Sequence, residues 1–103
     1  MTKDEIRQTL VAIDGGVKHY WSAGNGKAYT YWEETDRLPF MRDDMHEEAW
    51  AFTVHRFTKD EYDDVADRIF DALDREAGIA VRHSVDYEPD TGYIHHIYDC
   101  EAI

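Results

Sequence analysis

Ile6, Leu10 and Ile13 recur at helical spacing behind Thr2-Lys3-Asp4-Glu5, whose Thr-to-Glu interval has the form of a capping box, and Gly15-Gly16 ends the run. A first helix of about 11 residues is predicted. The pattern then changes period. Val17 to Ser22 is a short aromatic and β-branched stretch, Ala23-Gly24-Asn25-Gly26 breaks it, and Ala28 to Glu33 resumes with Tyr29, Tyr31 and Trp32, so two strands joined by a Gly-rich turn are expected. From Glu48 to Phe57 the alternation sets Trp50, Phe52 and Val54 on one face and Ala51, Thr53 and His55 on the other, as in a central strand. Thr58 and Glu61 have the spacing of a second capping box, and Tyr62, Val65, Ala66, Ile69, Leu73 and Ala77 trace one helical face up to Gly78, a left-handed stop. Ile79 to Tyr87 and Tyr93 to Glu101 read as a hairpin closed by Pro89-Asp90-Thr91-Gly92. Pairing Glu88 with Tyr93 puts Val81, His83, Val85 and Tyr87 on a face with Ile94, His96, Tyr98 and Cys100, the expected buried set. Arg82, Ser84, Asp86, Tyr93, His95 and Asp99 take the other face.

These elements predict a single α+β domain over residues 1–103: an antiparallel sheet of about four to five sequentially paired strands with two helices packed on one face. Residues 34 to 46 show no clean period and contain Pro39, so they are expected to form the longest irregular segment. Within it the apolar side chains of Leu38, Phe40, Met41 and Met45 stand among Arg37, Arg42, Asp43 and Asp44. Hydrophobic anchors inside a charged rim are what a partner surface needs, so Arg37, Leu38, Phe40, Met41, Arg42 and Met45 are the candidate interface.

Composition narrows the function classes. Hydrophobic residues at 43% and aromatics at 14%, Trp21, Trp32 and Trp50 among them, supply enough apolar surface for the 103-residue chain to fold despite 33% charged residues. Twenty-three acidic against 11 basic side chains give a formal charge of -12, a field that repels phosphate backbones and anionic lipid surfaces. No nucleic-acid or membrane partner is expected. One cysteine, Cys100, makes no disulfide within the chain, and no leader-like or membrane-length apolar run is present; a reducing cytoplasm is the expected setting.

The candidate chemistry is sparse. His83, His95 and His96, with His55 elsewhere, raise the question of a metal, but adjacent strand residues point to opposite faces, and no CxxC or HExxH spacing accompanies them. Asp60, Glu61, Asp63, Asp64, Asp67, Asp71 and Asp74 read as the solvated face of the second helix. Gly24-Asn25-Gly26-Lys27 lacks the spacing of a phosphate loop and leads into a strand. Neither Cys100 nor Ser22 and Ser84 sit in a nucleophile motif. No enzyme activity, cofactor or metal is expected.

The stretch from Trp50 to Leu73 (WAFTVHRFTKDEYDDVADRIFDAL), followed by Val85 to Tyr98 (VDYEPDTGYIHHIY), resembles the tail-terminator or tail-completion family of phages and prophages. In that family an aromatic-x-V-x-x-x-T strand leads into an amphipathic helix ending I-x-x-A-L, and a D-x-x-x-D-T-G-x-x-H hairpin closes the domain. Ala28-Tyr-Thr-Tyr-Trp-Glu-Glu resembles the family's P-Y-x-x-Y-E strand, with Ala28 where proline is usual. The resemblance spans roughly residues 17 to 101. It implies a homo-oligomeric ring, typically a hexamer, that caps the tail tube, stops its growth and docks the head connector. Its partners would be tail-tube and head-connector proteins, and its location the virion tail, assembled in the host cytoplasm. Two other classes compete: an acidic interaction module that mimics DNA, and a small enzyme using His83 or His96.

Overall fold

A computed structural model describes residues 1–39, 41, 42, 45, 46 and 48–103, the backbone alone being described for 41, 42, 45 and 46. Helix α1 runs Lys3–Ile13, and its capping box forms: Thr2 Oγ1 accepts from the Glu5 N–H and Glu5 Oε1 accepts from the Thr2 N–H, each at 3.1 Å. Strands β1 (Lys18–His19), β2 (Tyr29–Leu38), β3 (Met41–Arg42), β4 (Met45–His46) and β5 (Ala49–Thr58) precede helix α2 (Asp64–Arg75). Strands β6 (Ile79–Glu88) and β7 (Tyr93–Ala102) follow. The five-stranded sheet has the order β1-β2-β5-β7-β6, and β3 and β4 form a two-stranded sheet of their own. The class is α+β, with a mixed sheet.

The topology departs from sequential antiparallel pairing at two places. Strand β1 runs parallel to β2, Lys18 opposite Tyr31, so the Gly-rich turn closes no hairpin. The turn itself forms, Lys27 N–H donating to Gly24 O, but Tyr20 at φ 74° ends β1 and residues 20–28 carry the chain back to the start of β2. The second departure is that β7 inserts between β5 and β6. Because β7 is antiparallel to both, β5 and β6 run the same way, joined by α2 as a crossover.

The C-terminal hairpin has the expected register, Glu88 opposite Tyr93. Gly92 takes φ 77° at the turn exit, where a side chain would be strained. The faces are also as expected, but burial is not uniform along them. Tyr98 and Cys100 are enclosed, whereas Val85 and Tyr87, assigned to the buried set, are 58% and 60% exposed, because the helical layer does not reach that corner of β6. Tyr93, assigned to the other face, is buried.

Both helices pack on one face of the sheet. Ile6 and Leu10 from α1 and Ile69 and Leu73 from α2 meet Trp32, Phe52, Val54, Tyr98, Cys100 and Ala102. Helix α2 starts later than its spacing predicts. Thr58 Oγ1 accepts from the Asp60 N–H and Asp60 Oδ1 from the Tyr62 N–H, and these two local turns take the place of the Thr58/Glu61 capping box. Asp63 becomes the N-cap residue, and Tyr62, expected on the core face, stands 84% exposed outside the helix. Ala77 also lies beyond the helix and is exposed. Gly78 has φ 88°, and a Cβ there would meet the Ile103 carbonyl at 2.9 Å.

Candidate functional site

The described residues of the segment expected to be irregular are largely extended. Strand β2 continues to Leu38 through a bulge between Glu34 and Asp36, pairing Arg37 with Trp50 and Leu38 with Ala49. Beyond it β3 and β4 pair Met41 with His46 and Arg42 with Met45. Of the candidate interface, Arg37 and Leu38 therefore fall on β2, Met41 and Arg42 on β3, and Met45 on β4. Arg37 is exposed but its guanidinium lies 5.3 Å from the centre of the Trp50 ring, with Lys3 Nζ 5.1 Å from that ring. These cations clamp the root of the arm to the start of α1. Leu38 is half-buried opposite the enclosed Ala49. The side chains of Met41, Arg42 and Met45, and all of Phe40, lie outside the described residues.

Four of the histidines fall into two pairs, one on each face of the sheet. His55 Nδ1 and His95 Nε2 are 2.8 Å apart on the helix-free face, with Glu33 Oε1 at 3.3 Å from His55 Nε2. His83 Nε2 and His96 Nδ1 are 2.9 Å apart on the helical face, and His83 stacks on Tyr98. Opposite pointing of His95 and His96 thus holds, and the pairs are cross-strand hydrogen bonds. Burial holds the imidazoles of His83, His95 and His96 below their usual range, and each partner histidine lowers His95 and His96 further. Among the described residues no three His, Cys, Asp or Glu side chains are grouped to hold a metal ion.

Among the described residues no helix covers the other face of the sheet, and aromatic rings occupy one end of it. Tyr29 stacks on Phe57 at 4.7 Å, Phe57 on His95 at 4.0 Å and Tyr31 on His55 at 4.5 Å, while Tyr93 meets Tyr29 and Phe57 edge-on. These cross-strand stacks shield one another, and the turn before β2 closes over them, Tyr93 OH donating to Lys27 O at 2.9 Å with Lys59 Nζ 5.0 Å from the Tyr93 ring, so Phe57 and Tyr93 are buried. The opposite end holds a shallow groove of about 340 Å³ lined by small and charged residues, including Ala51, Thr53, Ala80, Arg82, Asp99 and Glu101. It contains no histidine, and the free thiol of Cys100 also lines it. Cys100 is buried, and its thiol is pushed up to about 12 by burial and by Asp99, so it is not a thiolate near neutral pH.

The most tightly built polar cluster was not singled out in the sequence. Arg56 is buried on the helical face, donating from Nε to Asp63 Oδ2 at 2.7 Å and from Nη2 to Asp63 Oδ1 at 3.2 Å, while Nη1 donates to Thr30 Oγ1. Thr30 in turn donates to Asp14 Oδ2 at 2.7 Å. Burial works to raise the Asp63 carboxyl, but the two-pronged bond to Arg56 outweighs it and holds the group low. The cluster ties the end of α1, β2, β5 and the start of α2 together. Its signal was the alternation Trp50, Phe52, Val54, Arg56, in which a charge falls on the buried face and requires a partner. All its side chains are satisfied by one another, which marks an architectural role. Comparison with protein-family models and with curated proteins finds no match to this chain.

Proposed function

We propose that this chain is a non-catalytic assembly protein of a phage or prophage tail, a subunit that closes into a ring, caps the tail tube and carries the head connector on its other side. The observation that carries the reading is the arm. Strands β2 and β5 stay paired from Tyr29–Phe57 to Leu38–Ala49, and β3 and β4 pair beyond them, so the segment of mixed apolar and charged residues opens from a long two-stranded arm. An arm of this kind reaches a neighbouring subunit, and a closed ring uses such contacts without open-ended growth. The sequence resemblance at Trp50–Leu73 and Val85–Tyr98 supplies the type of ring. A charge of -12 per subunit suits a bore through which DNA passes without adhering.

The test is to replace Phe40 and Met41 together by Ser and to follow molar mass over a concentration series alongside the arrest of tail-tube polymerisation. The native chain is expected to form a ring near six times its 12.1 kDa mass and to stop tube growth. The double variant should keep its circular dichroism and melting temperature and lose both properties. A native chain that neither forms a ring nor affects the tube would overturn the reading, and a variant that unfolds would show that the arm is part of the core.

A further inference from the structure

The sheet ends on β6, and among the described residues nothing pairs with that strand's outer side. Proteins usually guard such an edge with a short strand, a bulge or a proline. The opposite edge is guarded: β1 has two residues and β2 is bulged between Glu34 and Asp36. Strand β6 has ten residues, no proline, and an unbroken register against β7 from Ile79–Ala102 to Glu88–Tyr93. It also carries Val85 and Tyr87, both more than half exposed.

The order of side chains along this edge is self-complementary. On the helix-free face Arg82, Ser84 and Asp86 follow one another, with opposite charges equidistant from Ser84. Among the described residues neither Arg82 nor Asp86 makes an ion pair within 4 Å of its own. An antiparallel copy of the same strand centred on Ser84 sets Arg82 opposite Asp86 of the second copy, twice over. On the other face it sets Val81 opposite Tyr87 and His83 opposite Val85. A two-fold axis normal to the sheet keeps each face on its own side, so the alternative registers are centred on His83 or Val85. The first sets Arg82 against Ser84; the second sets Arg82 against Glu88 but leaves Asp86 on Ser84. Only the Ser84 centre matches both charges with each other.

We propose that β6 is a self-pairing edge, through which two copies of this chain join antiparallel about Ser84 into one continuous ten-stranded sheet with both helical layers on the same side. Main-chain hydrogen bonds and the apolar pairs supply the attraction; the exposed ion pairs add little strength and select the register. The inference goes beyond the ring reading and does not rest on it. A ring with a tube on one side and a connector on the other is polar and contains no such two-fold axis, so the edge-paired dimer is a separate state of the chain.

Sedimentation equilibrium of the full chain at moderate salt tests it. In the ring-deficient background with Phe40 and Met41 both replaced by Ser, the chain is expected to dimerise reversibly, Arg82→Asp should weaken the dimer at least tenfold, and Arg82→Asp combined with Asp86→Arg should restore it, because the swapped charges still face each other. Ser84→Cys should give a disulfide-linked dimer on mild oxidation, and Arg82→Cys should not. A ring-deficient chain that is monomeric throughout, a dimer indifferent to Arg82→Asp, or failure of the charge swap to rescue a folded protein would each overturn the proposal. Because the Phe40/Met41 variant should keep this dimer while Arg82→Asp should keep the ring, failure of one reading is distinguishable from failure of the other.

Discussion

Two imidazoles that share a hydrogen bond across 2.8 or 2.9 Å cannot both be cationic without placing like charges in contact. His83, His95 and His96 are each held below the ordinary value of 6.5 by burial, with the paired ring adding to it for the last two. The nearby carboxylates, Asp67 for His83, Glu88 and Asp86 for His95, and Asp63 and Asp67 for His96, pull the other way and do not prevail. Below about pH 6.5 the unfolded chain therefore binds protons that the folded chain refuses. The stability these groups contribute is present above that pH and is lost as pH falls through their folded values. Melting temperature should fall between about pH 7.5 and pH 5.5, ahead of the carboxylate range, and replacing His95 and His96 by Gln should flatten that slope. Acidification also relieves part of the repulsion among 12 net negative charges, which opposes the trend, so the difference between native and variant slopes is the decisive quantity. A variant slope equal to the native one would remove the histidines as its cause.

Elements were legible in the sequence to the extent that their determinants were local. Helix α1 was predicted from its cap and its stop because both lie within its own turns. Helix α2 was legible in its face but not in its start. Thr58 and Glu61 have the spacing of a cap, but Thr58 is spent on Asp60 and Asp60 on Tyr62, a competition that spacing does not reveal. The consequence is measurable: Leu73→Ala, at a fully buried position, should cost about 2 to 5 kcal/mol, whereas Tyr62→Ala should stay within about 0.5 kcal/mol. Equal losses on chemical denaturation would contradict this boundary. Glu34 to Leu38 offered no apolar alternation, and the bulge shifts its phase, so only pairing with β5 makes it a strand. The candidate interface was thus recognisable by its mixture of residue types and not by its shape. Arg56 stood on a buried face in plain view, but its partners Asp63 and Thr30 come from other elements and no local pattern names them.

The whole molecule joins layers of unequal length. Helices of 11 and 12 residues span about 16 to 18 Å, whereas a ten-residue strand spans about 33 Å, so each long strand passes from a backed stretch to an unbacked one. On β6 the passage is visible between Val81, packed against the core, and the exposed Val85 and Tyr87. Amide exchange should accordingly grade along a strand and not merely between strands: on β7, Tyr98 and Cys100 slower than Ile94 and His96. Uniform protection along each strand would mean that the sheet opens as one unit. A sheet graded in this way has two stiffnesses in one piece. Its helix-backed stretch holds the position of everything attached to it, while its bare stretch can change twist to suit whatever it is pressed against.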